Sequence, residues 1–215
     1  MNELSKRILT SIFLISLFSL AFYNNLLLII LLIYCFYEMF FEFNYLLNKI
    51  YKYKNKIKVF IYLITVIIFL FYLTTFIWLS LYSGENSDKL FLILLISISI
   101  LSDIGGFIFG KIFKGKKLTK ISPKKTYSGL YGSYILSLIV VYILFSNYYD
   151  TRYLLLVTIL ISTISQLGDL FISFLKRRAN LKDTGKILPG HGGFLDRFDG
   201  LIFAISAGSL VKIII

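Results

Sequence analysis

The chain has 215 residues, 58% of them hydrophobic and 18% aromatic, with a mean hydropathy of +0.82. A soluble domain is about half apolar; here the excess falls in long blocks, which excludes an ordinary soluble globule and marks a membrane protein. The net charge of +12 then reads as lysines facing the cytoplasm and anionic lipid, with no nucleic acid as partner.

Seven spans are predicted in chain order: 8–23, 26–47, 57–82, 90–109, 130–145, 153–175 and 198–215. Each can cross a hydrocarbon core of about 30 Å as a helix. The fold class is therefore all-α, a polytopic integral membrane bundle with its amino terminus in the cytoplasm. Lys6 and Arg7 precede the first span as in a signal peptide, but no small-residue cleavage site follows, so the span reads as a retained helix. Asn24 and Asn25 alone separate the first two spans and imply a tight helical hairpin. Cys35, the single cysteine, has no partner for a disulfide or a zinc site.

Charge in the loops sets the orientation. Five lysines follow the second span, seven follow the fourth, and Lys176, Arg177, Arg178, Lys182 and Lys186 follow the sixth. The alternate loops, "SGENSDK" and "NYYDTR", carry little positive charge. The positive-inside rule places the basic loops in the cytoplasm. Two tyrosines in the first basic loop, Tyr51 and Tyr53, are too few to form a platform for nucleic acid. Of the 14 glycines only Gly84 precedes residue 100, and both prolines lie beyond it. Residues 1–215 thus read as one membrane domain, with 1–100 as scaffold and 101–215 as the catalytic half.

Polar groups then stand out within the apolar background. In the sixth span Ser162, Ser165, Asp169, Ser173 and Lys176 share one helical face, with Gln166 beside it. An ionisable group left in lipid costs several kcal/mol (about 2.5–3.5 on insertion scales), so Asp169 faces protein or water. The serines are read as part of a site; the competing reading is a seam that glues helices. Asp103 lies near the cytoplasmic end of the fourth span, where Gly106 and Gly110 read as close-packing positions. Asp196 and Asp199 are three apart and can share a face. Lys124, Lys125, Lys176, Arg177, Lys182 and Arg197 surround these carboxylates in sequence. Carboxylates with many fixed cations at a membrane surface suit magnesium bound to phosphates, hence phosphoryl or nucleotidyl transfer. The stretch "GKIFKGKK" is not a P-loop, because Lys117 replaces the hydroxyl residue and no strand precedes it. His191 has no partners for a zinc site and reads as a phosphate contact, and the glycines around it could bring backbone N–H groups to a phosphate.

The segment "SFLKRRANLKDTGKILPGHGGFLDRFD", residues 173–199, resembles the signature of phosphatidate cytidylyltransferases. Ser173, Lys176, Arg177, Lys182, Asp183, Pro189, His191, Gly192, Gly193, Asp196, Arg197 and Asp199 all match its fixed positions. "QLGDL" around Asp169 and "ISPKKTYSG", which contains Ser122, Lys124 and Lys125, are similar to weaker family elements. The resemblance covers roughly residues 100–215. It implies conversion of CTP and phosphatidate to CDP-diacylglycerol and pyrophosphate, at the cytoplasmic face of a bacterial-type inner membrane. It implies magnesium held by Asp169 and Asp196, with Asp199 beside them, a potassium ion in some members, and a homodimer. Lys176, Arg177 and Arg197 would act with the carboxylates in catalysis. Ser122, Lys124, Lys125, Ser173, Lys182, Asp183, His191, Gly192 and Gly193 would bind substrate. Two departures stand out: "SDIGG" lacks the family's usual small hydroxyl residue and alanine, and Ser128 replaces a common glutamate. The competing readings are a CTP-dependent polyprenol-type lipid kinase and an ion-coupled transporter.

Overall fold

The computed structural model describes residues 12, 16–17, 19–21, 23–51, 56–82, 85–119, 121–185, 187–188 and 192–214. Among them six helices run α1 Asn25–Tyr51, α2 Lys56–Tyr82, α3 Asn86–Phe113, α4 Tyr127–Phe145, α5 Thr151–Arg178 and α6 Leu195–Ile214. The first predicted span lies largely outside the described residues; those described within it are helical. The other six spans are present as helices. Helices α1 to α5 are each long and apolar enough to cross a bilayer, so the protein is a polytopic helical membrane protein. Helix α6 is different: Asp196, Arg197 and Asp199 occupy its start and Lys212 its last turn. Its uncharged stretch, residues 200–211, is shorter than the roughly 20 apolar residues of a usual crossing.

Short side chains set the helix ends. Asn24 Oδ1 accepts from the N–H groups of Leu26 and Leu27 (3.0 and 3.2 Å), so Asn24 caps α1 and Asn25 is already helical. Thr126, in an extended conformation, caps α4 by accepting from Gly129 N. Asp150 Oδ2 does the same for Arg152 N at α5. At the other end of α5, Asn180 takes a left-handed φ of 55°. Leu181 N then donates to Lys176 O and Asn180 N to Arg177 O, a Schellman closure.

The chain forms two compact units, Met1–Glu85 with Leu175–Phe198, and Asn86–Phe174 with Asp199–Ile215. In the second unit a polar seam runs between α3 and α5. Ser99 Oγ pairs with Ser165 Oγ and Ser102 Oγ with Ser162 Oγ, each at 2.9 Å and fully buried. Ser133 Oγ on α4 donates to Ser102 O at 2.7 Å. Ser162 and Ser165 therefore belong to the helix-gluing seam and not to a substrate site, because hydroxyls in hydrocarbon must find protein partners.

Glycines bring α3 and α4 together. A Cβ added to Gly105 would lie 2.5 Å from Gly132 O, and one on Gly129 would lie 2.7 Å from Gly106 O. A Cβ on Gly106 or Gly110 would crowd Ser133 Oγ or Thr126 Oγ1, so both glycines are packing positions. A Cβ on Gly132 would enter the Phe109 side chain and stand 2.9 Å from Gly105 O. We expect Gly132→Ala to cost about 1–3 kcal/mol through forced separation of the helices. A lowered melting temperature in detergent checks this; an unchanged one would count against the close packing.

Candidate active site

The loop from α3 to α4 carries the first group of candidates. Lys114 takes a left-handed φ of 43° at the end of α3. Leu118 N donates to Lys125 O (2.8 Å) and Tyr127 N to Lys116 O (3.0 Å), folding the loop back on itself. Its tip is a turn in which Lys125 N donates to Ser122 O at 3.0 Å, with Pro123 in the position where its fixed φ suits a turn. Ser128 Oγ accepts from Gly115 N at 3.2 Å, a neutral bond that ties the start of α4 to the loop.

This turn aims Lys125 at α5. Its Nζ lies 2.5 Å from Asp169 Oδ2 and 3.4 Å from Gln166 O. Lys125 and Asp169 retain 24% and 26% of their side-chain exposure, so the pair meets solvent. The other carboxylate oxygen, Oδ1, has Ser173 Oγ at 3.4 Å. A cavity of about 220 Å³ opens here, lined among others by Ser102, Asp103, Lys124, Lys125, Gln166 and Asp169. Lysines, carboxylates and an amide therefore line one cavity in the second unit, as expected of a place that receives a charged, polar ligand.

The second group lies in the other unit, where α5 ends and α6 begins. Lys176 Nζ donates to Asp196 Oδ1 at 2.7 Å, with only 12% and 6% of the two side chains exposed. Asp196 Oδ2 accepts from Thr184 N (2.7 Å) and Gly193 N (3.0 Å), and Thr184 Oγ1 lies 3.1 Å away. Burial pushes the Asp196 carboxyl up. The bonds from Lys176, Gly193 and Thr184 and the lysine charge outweigh burial and hold it below the ordinary carboxylate value. Gly192, at φ +85°, reaches a conformation that a side chain would strain, and a Cβ there would press on Asp196 Oδ2 at 2.8 Å.

The sequence reading missed one residue of this group. Glu42 on α1 is 4% exposed. It accepts from Thr184 Oγ1 at 2.6 Å and from Phe194 N and Leu195 N at 2.8 Å each. An acid within an apolar span was the available signal, in the half of the chain that is poor in glycine.

The remaining candidates spread around these two groups. Arg177 Nη1 donates to Leu181 O at 3.3 Å, and Arg177, Lys182, Asp183, Arg197 and Lys124 are exposed. Asp199 is half-buried, and its Oδ1 accepts from its neighbour Gly200 N. Gly193 is buried and its N–H is committed to Asp196, so it is not presented to a phosphate as the sequence suggested. His191 and Pro189 lie outside the described residues.

The donor set can be tested against magnesium. Among the described residues no three His, Cys, Asp or Glu side chains gather as a ready cation cage. Magnesium does not require one, since it takes one or two carboxylates with water and substrate oxygens. Asp169 fits, because Oδ1 has only the long contact to Ser173. Asp196 does not fit in this arrangement: Oδ2 already has two amide donors and the Thr184 hydroxyl against it, and Oδ1 a lysine. Asp169 belongs to one compact unit and Asp196 to the other.

Comparison with known proteins places these residues in a lineage. A phosphatidate cytidylyltransferase of Rickettsia conorii is 45% identical over 107 residues, 46% of each chain. One from Rickettsia felis is 48% identical over 97 residues, 40% of this chain and 42% of that protein. One from Staphylococcus saprophyticus is 50% identical over 88 residues, 40% of this chain and 34% of that protein. Each match thus spans less than half of the relative's length. The sequence profile of the cytidylyltransferase family, in contrast, matches residues 10–213, nearly the whole chain. Together with the lysine–carboxylate pairs built by its most distinctive segments, this match establishes that the chain belongs to the cytidylyltransferase family.

Proposed function

We propose that the chain transfers the cytidylyl group of CTP to phosphatidate, giving CDP-diacylglycerol and pyrophosphate. The observation that carries this reading is the polar cavity in a membrane protein of this family, where Lys125 and Asp169 pair beside Lys124 and Asp103. In the transfer a phosphate oxygen of phosphatidate forms a bond to the α-phosphorus of CTP while the bond to the pyrophosphate oxygen breaks. That oxygen is already ionised near neutral pH, so no strong base is needed. The work left to the protein is positioning and charge stabilisation.

Asp169 is the carboxylate with room for a hard cation, and bound magnesium would neutralise phosphate charge there. Lys124, exposed at the rim of the cavity, and Lys125 would supply fixed positive charge to the polyphosphate. The reaction belongs at the cytoplasmic face of a bacterial inner membrane, a placement supported by the basic loops and the bacterial relatives.

Purified protein given CTP, phosphatidate and magnesium is expected to form CDP-diacylglycerol and pyrophosphate in equal amounts. Release of CDP with phosphorylation of a lipid alcohol would overturn the assignment. So would substrate flux without nucleotide turnover.

A further inference from the structure

The signature segment contains a glycine-rich stretch just before α6, and such stretches before a helix commonly bind phosphate through exposed N–H groups. Here the amides of residues 193–195 are already taken by protein carboxylates. Phe194 N and Leu195 N, at the start of α6, donate to the two oxygens of Glu42. Gly193 N donates to Asp196. The positive end of α6 therefore holds a protein carboxylate in the place of an outside anion.

The glycines have a matching explanation. A Cβ on Gly185 would lie 2.6 Å from Glu42 Oε1, and a Cβ on Gly193 would collide with both Glu42 oxygens and Thr184 Oγ1. Their missing side chains leave room for Glu42. Thr184 completes the connection. Its hydroxyl has one hydrogen and two carboxylate neighbours, Glu42 Oε2 at 2.6 Å and Asp196 Oδ2 at 3.1 Å. The shorter contact takes the hydrogen, and the Thr184 amide serves Asp196 at 2.7 Å.

We propose that Glu42, on α1, is a positioning residue for the signature segment that carries Asp196. It holds Phe194 and Leu195 by their amides and, through Thr184, sets the carboxylate of Asp196. At 4% exposure, and enclosed by these donors, it does not itself contact substrate. The proposal rests on the cytidylyl-transfer reading for its link to activity, but its geometry can be tested without activity.

The test uses the full chain in lipid nanodiscs, with Glu42→Gln, Thr184→Val, Thr184→Ser and the Glu42→Gln/Thr184→Val double variant. The amide of glutamine turns a donor toward donors that need an acceptor. Hydrogen exchange over the segment 184–195 should therefore quicken about tenfold in Glu42→Gln, with α2 unchanged. CDP-diacylglycerol formation should fall by about the same factor or more. Thr184→Val should reproduce part of both effects, and Thr184→Ser, which keeps the hydroxyl, should restore them. The double variant should be little worse than Glu42→Gln, because both changes cut one connection.

Unchanged exchange over 184–195 in Glu42→Gln would overturn the proposal, as would fully additive effects in the double variant. Should Glu42→Gln fail to fold, the contrast between Thr184→Val and Thr184→Ser decides. Should the wild type turn over no CTP, the activity reading falls, and the exchange data still decide whether Glu42 holds the turn.

Discussion

Asp169→Asn is expected to lower CDP-diacylglycerol formation by at least about a hundredfold, equivalent to about 2.7 kcal/mol of barrier, while the protein still folds. Asparagine keeps the shape of the side chain and removes its charge. Asp169 is 26% exposed and its pair with Lys125 meets solvent, so the fold depends little on that charge. The rate depends on it if Asp169 is the carboxylate that serves magnesium. A simple loss of the ion pair would act differently. In that case Lys125→Met would be as damaging as Asp169→Asn, and the double variant would be no worse than either. Metal dependence separates the cases: raising magnesium should partly restore Asp169→Asn and leave Lys125→Met unaffected. Near wild-type turnover by Asp169→Asn would remove Asp169 from the chemistry.

Asp196→Ala is expected to act first on stability. It strands Lys176, which is 12% exposed, and removes the acceptor for two backbone amides. Breaking a buried pair from one side costs about 3–5 kcal/mol, which for a chain of this size corresponds to a melting point lower by about 6–15 °C. Adding Lys176→Met should recover part of the loss, because no unpaired charge then remains. Recovered stability without recovered activity would show that the pair serves the reaction as well. The pH dependence has a definite sign. The folded-state carboxyl is held low, so its contribution is complete above the ordinary carboxylate range. It is lost as pH falls through the lowered folded value.

The helices were legible because length and hydropathy suffice to mark a span, and the caps added only a few residues at the ends. Residues 90–109 became Asn86–Phe113, and 153–175 became Thr151–Arg178. The last helix was harder, since its charged start is continuous with a loop. The pairing of Lys176 with Asp196 could not be read from sequence, because 20 positions and a non-helical turn separate them. Nor could the role of Ser162 and Ser165, whose partners Ser102 and Ser99 lie more than 50 residues away on another helix. Glu42 was hidden for a different reason. Two of its three donors are backbone amides, which any residue type supplies, so no motif announces them.

The pairing of Lys125 with Asp169 has a consequence for how a ligand arrives. The lysine already has a counter-ion, so an incoming polyphosphate must displace a resident anion. Binding there is an exchange, and its net electrostatic gain is the difference between two attractions. A small lone anion gains little from such an exchange. A triphosphate bearing its own metal gains more, because it can offer the released carboxylate a new cation in return. On the proposed reaction, the resting pair would favour metal-bound nucleotide over stray phosphate.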